Sequence, residues 1–221
     1  MTGVAAVIVA AGRGVRAGGA QPKQWQPLGG KPMLAHTLGI FQSHPDIRGI
    51  VLVLHADDLR RADGFVDAQT RVVAGGTDRA QSVRKGLAAV TDAPRVLIHD
   101  VARPLVTHQL ISHVIAALNT APGAAPALAV TDALWTGHAG RVTGTQDRTG
   151  LYRAQTPQGF DLRAITAAHA AHKGGAADDV EVARAFGLDV AILPGDEDNL
   201  KITLPADFTR AERILRGRNG H

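Results

Sequence analysis

The residues best placed to do chemistry follow the first apolar run: Ala10-Ala11-Gly12-Arg13-Gly14-Val15-Arg16-Ala17-Gly18-Gly19-Ala20-Gln21-Pro22-Lys23. Small residues behind a buried strand let backbone N–H groups approach a phosphate with no side chain in the way. Two cations, Arg16 and Lys23, flank the glycines, and Pro22 stiffens the approach of Lys23. Gly12-x-Gly14-x-x-Ala17 fits a dinucleotide-binding pattern, but that pattern needs a helix to begin inside it, and Gly18, Gly19 and Pro22 leave no room for one. A P-loop needs Gly-Lys followed by Ser or Thr, which the segment lacks. Nucleotidyl transfer remains, with the glycines wrapped around a triphosphate and both cations reaching its α-phosphate. Taken singly, Arg16 and Lys23 read as solvated charges. Their place at the C-terminal end of a strand, where ligands collect in open α/β sheets, favours a site.

Strand-like and helix-like segments alternate along the chain, which predicts an α/β fold with a mostly parallel sheet and helices on both faces. The expected strands are 4–10, 47–55, 71–74, 95–99, 125–130 and 190–193. Between them, Leu34, Leu38 and Phe41 after Pro32 are spaced for one buried helix face, as are Val83, Leu87 and Val90, and Leu110, Ile111, Val114, Ile115 and Leu118. Phe208, Ile214 and Leu215 mark a closing helix, and residues 120–126 read as a loop. Residues 131–153 break the alternation. They are polar and glycine-rich and predict a β-ribbon or extended arm. A lone two-stranded ribbon is marginal in water, so this arm is expected to lie on a partner surface, a second copy of the chain.

The chain has 221 residues, the size of one generous α/β domain or one domain with an appended arm. Hydrophobic residues make up 45% and aromatics only 4%, so the core must be built from Ala, Val, Leu and Ile. There is no cysteine, which excludes disulfides and thiolate metal sites. No stretch approaches the ~20 apolar residues of a membrane span, and the N-terminus lacks a signal-peptide pattern. A soluble, cytoplasmic protein with no membrane partner is expected. The net charge of +4 is spread singly rather than gathered on one element, so no nucleic-acid partner is expected, and polyanionic small molecules fit.

The run Ala-Ala-Gly-x-Gly-x-Arg-x-Gly-x-x-x-Pro-Lys-Gln resembles the signature of the 2-C-methyl-D-erythritol 4-phosphate cytidylyltransferases of the non-mevalonate isoprenoid pathway. Four later blocks resemble that family in its order and approximate spacing. They are Gly75-Gly76-Thr77-Asp78-Arg79-Ala80-Gln81-Ser82-Val83, His99-Asp100-Val101-Ala102-Arg103-Pro104, Asp147-Arg148-x-Gly150-Leu151 with Thr156-Pro157-Gln158, and Asp198-Asn199-Leu200-Lys201-Ile202-Thr203. The resemblance implies a Rossmann-like nucleotidyltransferase domain over 1–221, with 131–153 as a dimerisation arm exchanged across a two-fold axis. It implies transfer of CMP from CTP to a sugar-alcohol phosphate. Arg16 and Lys23 would neutralise the α-phosphate. Ala10, Ala11, Gly76 and Ser82, with Gly12 and Gly14 of the loop, would bind the nucleotide. Asp100 would sit by the ribose, the substrate hydroxyls and a Mg²⁺ ion bound mainly through phosphates. Lys201, Thr156, Arg103 and Arg148 would position the acceptor, Arg148 coming from the partner's arm.

Each later block has a plainer reading. Gly75-Gly76 reads as a turn, Ser82 as an ordinary helix residue, Asp100 as a helix cap, and Arg148 and Lys201 as surface charges. His169 and His172 read as a solvated face, and Asp178, Asp179 and Glu181 as caps and charges at a helix N-terminus. The chain also departs from the family. Asp132 is followed by Ala133 where a threonine is usual, Trp135 stands near a common basic position, Trp25 replaces a tyrosine and Val101 an alanine. Ala133 keeps open a pentitol-phosphate acceptor such as ribitol 5-phosphate. A non-catalytic nucleotide-binding protein on the same scaffold is the rival of another class. Some family members are fused to a later cyclase. The chain ends at His221, and transferase activity alone is expected.

Overall fold

The computed structural model describes residues 3–13, 21–218 and 220. In chain order, β1 (Val4–Ala10) is followed by the short hairpin β2 (Pro27–Leu28) and β3 (Lys31–Pro32), then α1 (Met33–Gln42), β4 (Ile47–Leu54), β5 (Thr70–Ala74), α2 (Arg79–Ala88), β6 (Arg95–Asp100), α3 (His108–Ala117) and β7 (Gly123–Ala129). The ribbon β8 (Leu134–His138) and β9 (Arg141–Gln146) comes next. After it lie β10 (Tyr152–Ala154), β11 (Gln158–Asp161), α4 (Leu162–Ala171), α5 (Asp179–Ala185), β12 (Ala191–Pro194) and α6 (Pro205–Arg218).

The main sheet runs β10-β7-β11-β6-β1-β4-β5, with β12 parallel to β7. β1 pairs in parallel with both β4 and β6, so its residues meet other strands on both edges and helices on both faces. Such a strand has no solvent face and reads as an uninterrupted apolar run. Val7 and Ile8 are fully buried on opposite faces, in two separate clusters. Leu34, Leu38 and Phe41 of α1 and Ile111 and Val114 of α3 pack into one cluster, Val83 and Leu87 of α2 into the other. β11 runs antiparallel between β6 and β7.

The expected strands all form, with ends shifted by up to two residues. The loop expected over 120–126 is shorter, because β7 begins at Gly123 and pairs with β11 and β12. The arm is a two-stranded ribbon as expected, and β10 then rejoins the main sheet against β7. Trp135, on the ribbon, is 68% exposed.

Candidate functional site

Parallel strands leave their last N–H and carbonyl groups and the following turns at one edge, and a cleft of ≈ 300 Å³ opens there. Ala10, Ala11 and Gly12 line it from the end of β1, Gly76 and Ser82 from the β5–α2 turn, and Asp100 from the end of β6. Lys23 and Lys201 close it. Three segments far apart in sequence converge because β6 and β1 are adjacent and β5 lies just beyond β4, all four strands running parallel and ending at the same edge.

The β5–α2 turn is built by its own hydrogen bonds. Asp78 caps α2 by accepting from Gln81 N–H (2.7 Å). The Ser82 hydroxyl donates to Asp78 O (2.9 Å) and accepts from Gly76 N–H (3.0 Å). Ser82 therefore fixes the turn as well as lining the cleft.

Lys23 opens a short 3-10 turn after Pro22, and its Nζ donates to Ile202 O at 2.6 Å. Ile202 N–H in turn donates to Ala102 O (2.8 Å), which straps residues 201–203 to the end of β6. Lys201 Nζ reaches Asp100 Oδ2 at 2.6 Å, and Arg79 Nε reaches Asp100 Oδ1 at 3.2 Å. Burial by itself would raise the Asp100 pKa, but the charges of Arg79 and then Lys201 outweigh it and hold the carboxyl well below the usual range. Asp100 is thus a fixed anion in the cleft wall. It does not cap the next helix. That place is taken by Thr107, which caps α3.

The family model for 2-C-methyl-D-erythritol 4-phosphate cytidylyltransferase matches residues 4–217. The chain belongs to this family. A cytidylyltransferase of that name from Cereibacter sphaeroides is 62% identical over 216 residues, covering 96% of each chain. One from Roseobacter denitrificans is 60% identical over 226 residues, covering 99% of each. Among solved structures, the 4-diphosphocytidyl-2C-methyl-D-erythritol synthase of Anaerococcus prevotii has a TM-score of 0.84 at 28% identity, covering 97% of this chain and 96% of that one. The cytidylyltransferase of Thermus thermophilus has a TM-score of 0.80 at 30% identity, covering 95% and 98%.

The other residues expected from the cytidylyltransferase pattern are placed as follows. Gly14 and Arg16 lie outside the described residues. Arg148 lies at the base of the arm, exposed, with its guanidinium on Thr131 O, and it does not line the cleft within one chain. Arg103 is buried, with Nη1 on Asn199 O (2.7 Å) and Nη2 on Ala154 O (2.9 Å). It braces β10 and the segment leading to Lys201 from behind. Thr156 is also buried, and its hydroxyl accepts from Asp100 N–H (3.2 Å) and lies 3.0 Å from His99 Nδ1. Neither Arg103 nor Thr156 lines the cleft, and within one chain these two residues hold its wall. Trp25 is buried under Arg61, whose guanidinium lies 4.5 Å from the ring centroid, so the tyrosine replacement is a change of packing.

His169 is not on a solvated face. It is 2% exposed and its Nε2 lies 3.1 Å from Asp179 Oδ1, because α4 packs its last turn against α5. Asp178 caps α5 and Glu181 accepts from Ala177 N–H, but Asp179 is fully buried and bonded to Arg79 (2.7 Å). Arg79 and Asp179 are the residues whose part in the site the sequence did not reveal. Only the pairing of two adjacent acids, where one suffices as a cap, hinted at it.

His99, on β6 and packed against Phe41 of α1, is fully buried. Its Nε2 can only donate to Arg103 O (3.1 Å), which leaves Nδ1 to accept from Thr156. Burial pushes its pKa down to about 4. The unfolded chain therefore binds the extra proton first, and stability falls as pH drops from about 6.5 toward 4. Unfolding by urea should show a loss of about 2 kcal/mol from this group between pH 7 and pH 5. His99→Gln should flatten that interval, and an equally steep fall in the variant would assign the proton elsewhere.

Proposed function

We infer that this chain transfers CMP from CTP to the phosphate of 2-C-methyl-D-erythritol 4-phosphate, releasing pyrophosphate, in isoprenoid precursor biosynthesis. The observation that carries this is the convergence of Lys23, Lys201 and Asp100 around a glycine-lined cleft at the strand ends, in a chain matched by the family model from residue 4 to 217.

The acceptor's phosphate monoester has a second pKa near ~6 and is already a nucleophile at neutral pH. No general base is needed. The obstacle is bringing a dianion to a triphosphate, so the protein must position the two and screen their charge. Lys23, held against Ile202 O, is aimed at the α-phosphate, with Arg16 from the loop as its counterpart. Lys201 shares Asp100 with Arg79. It can therefore turn to the acceptor phosphate while Asp100 keeps the Arg79 contact. Backbone groups of Ala10, Ala11 and Gly76, set by Ser82, read the base edge.

Among the described residues no group of three or more His, Asp or Glu gathers to hold a cation. Mg²⁺ suits one carboxylate together with phosphates, so Asp100 and the triphosphate fit it. When bound it would supply further screening of the β- and γ-phosphate charge. No helix among the described residues is long and apolar enough to cross a membrane. We place the enzyme in the cytoplasm with its small phosphate substrates. Ala133 alone supports a ribitol 5-phosphate acceptor, and the relatives above are named for methylerythritol phosphate. A mere binder would not need cations gathered at the α-phosphate.

The ribbon would complete the partner's site in a two-fold dimer, bringing Arg148 to the acceptor. The test is complementation. Lys23→Met and Arg148→Ala, each inactive alone, should recover about a quarter of wild-type turnover when mixed and reassociated, because half the dimers carry one intact site. No recovery in confirmed heterodimers would mean that Arg148 acts in its own subunit.

A further inference from the structure

From Arg79 in the cleft wall, a chain of side chains given no direct part in the reaction runs back into the protein. Arg79, the first residue of α2, places Nε 3.2 Å from Asp100 Oδ1 and Nη2 2.7 Å from Asp179 Oδ2. Asp179 is fully buried at the start of α5, and its other oxygen, Oδ1, lies 3.1 Å from His169 Nε2 on α4. Both Asp179 oxygens are thereby engaged, from two directions, and the carboxylate cannot rotate. The backbone beneath it is fixed as well. Gln158 on β11 accepts from Asp179 N–H and Val180 N–H (both 3.1 Å) and donates to Asp178 Oδ2 (2.8 Å). His169 Nδ1 has no partner among the described residues, so the imidazole meets its surroundings through Nε2 alone.

A guanidinium is a rigid planar fork, so fixing one edge of it fixes where the other edge points. We propose that Arg79 is a positioning residue for the Asp100 carboxylate, and that buried Asp179, backed by His169, sets the orientation of Arg79. Once an acceptor phosphate draws Lys201 away, Arg79 is the remaining described cation on Asp100. The fork then keeps a buried anion turned toward the nucleotide through the reaction. This rests on the place proposed above for Asp100 beside the triphosphate and its Mg²⁺.

Arg79 lines the cleft and Asp179 does not, so Asp179→Asn separates positioning from direct contact. Steady-state kinetics on the full-length enzyme, varying CTP and acceptor in turn, should show kcat/KM for CTP down about tenfold in Asp179→Asn and about thirtyfold in Arg79→Gln, with the acceptor KM within about twofold. The double variant should be no worse than Arg79→Gln, because the two act in series. Arg79→Lys, which keeps the charge and loses the fork, should not recover. A wild-type CTP specificity in Asp179→Asn, losses that multiply in the double variant, equal damage to both substrates, or full recovery in Arg79→Lys would each overturn the proposal. If Asp179→Asn does not fold, His169 carries the test. His169→Leu should lose about threefold on CTP and His169→Gln, which keeps a donor, should restore it, whereas wild-type specificity in His169→Leu overturns the relay. Asp100→Ala is the reference. A crippled Asp100→Ala beside an unaffected Asp179→Asn sinks the relay alone, and an indifferent Asp100→Ala sinks the place given to Asp100 and the relay with it.

Discussion

Replacing Lys23 with methionine is expected to lower kcat by about 10²- to 10⁴-fold while leaving the KM for CTP within about threefold. Methionine keeps much of the unbranched stem and removes the charge, so packing of the 3-10 turn at Lys23–Trp25 should persist. The wild-type ammonium is held by a backbone carbonyl, Ile202 O, on a strap tied to the end of β6. Its position is therefore set before substrate arrives, which is the condition under which a charge stabilises a transition state rather than only the ground state. Negative charge on the α-phosphate oxygens grows as the acceptor attacks, and that is where the loss should fall. Single-turnover rates with saturating CTP check this. A variant whose KM rises with kcat untouched would make Lys23 a binding residue.

Gly75→Ala should abolish useful CTP binding, weakening it by about 10²-fold or more, and cost on the order of 1–3 kcal/mol of stability. A Cβ at this position would lie 2.4 Å from Ala11 Cβ, 2.8 Å from Ser82 Oγ and 3.4 Å from Leu54 O. None of these is the end of a flexible side chain. Ala11 belongs to the loop behind β1, Ser82 holds the Gly76 amide, and Leu54 ends β4. The methyl would therefore pry apart the two walls that line the cleft, where the base is proposed to bind. Calorimetric titration of CTP and a urea midpoint measure the two effects. Binding near wild type would show that the walls can part without harm and that the base lies elsewhere.

How much of this was legible beforehand follows from what the sequence records. β1, β4 and β6 are covered on both faces and stand out as apolar runs, and the α1, α2 and α3 stripes repeat at helical spacing. β11 was not legible. It has four residues, Gln158–Asp161, with Phe160 its only large apolar residue. Its strand character comes from lying between β6 and β7. Gly12, Lys23, Asp100 and Lys201, which line the cleft, stand in the family blocks. Arg79, Asp179 and His169 were not legible as partners, since a charged residue reads as solvated until its partner is known. The partners of Arg79 lie 21 and 100 positions away in sequence. The buried work of Arg103 and Thr156 was hidden for the same reason, because a block of residues names neighbours in the chain and not the carbonyls across from them.

The most direct test of the account follows pyrophosphate with Mg²⁺ and CTP, offering 2-C-methyl-D-erythritol 4-phosphate and ribitol 5-phosphate in separate reactions. Release is expected with the first acceptor and none with the second. Release with ribitol 5-phosphate alone, or with neither, would contradict it.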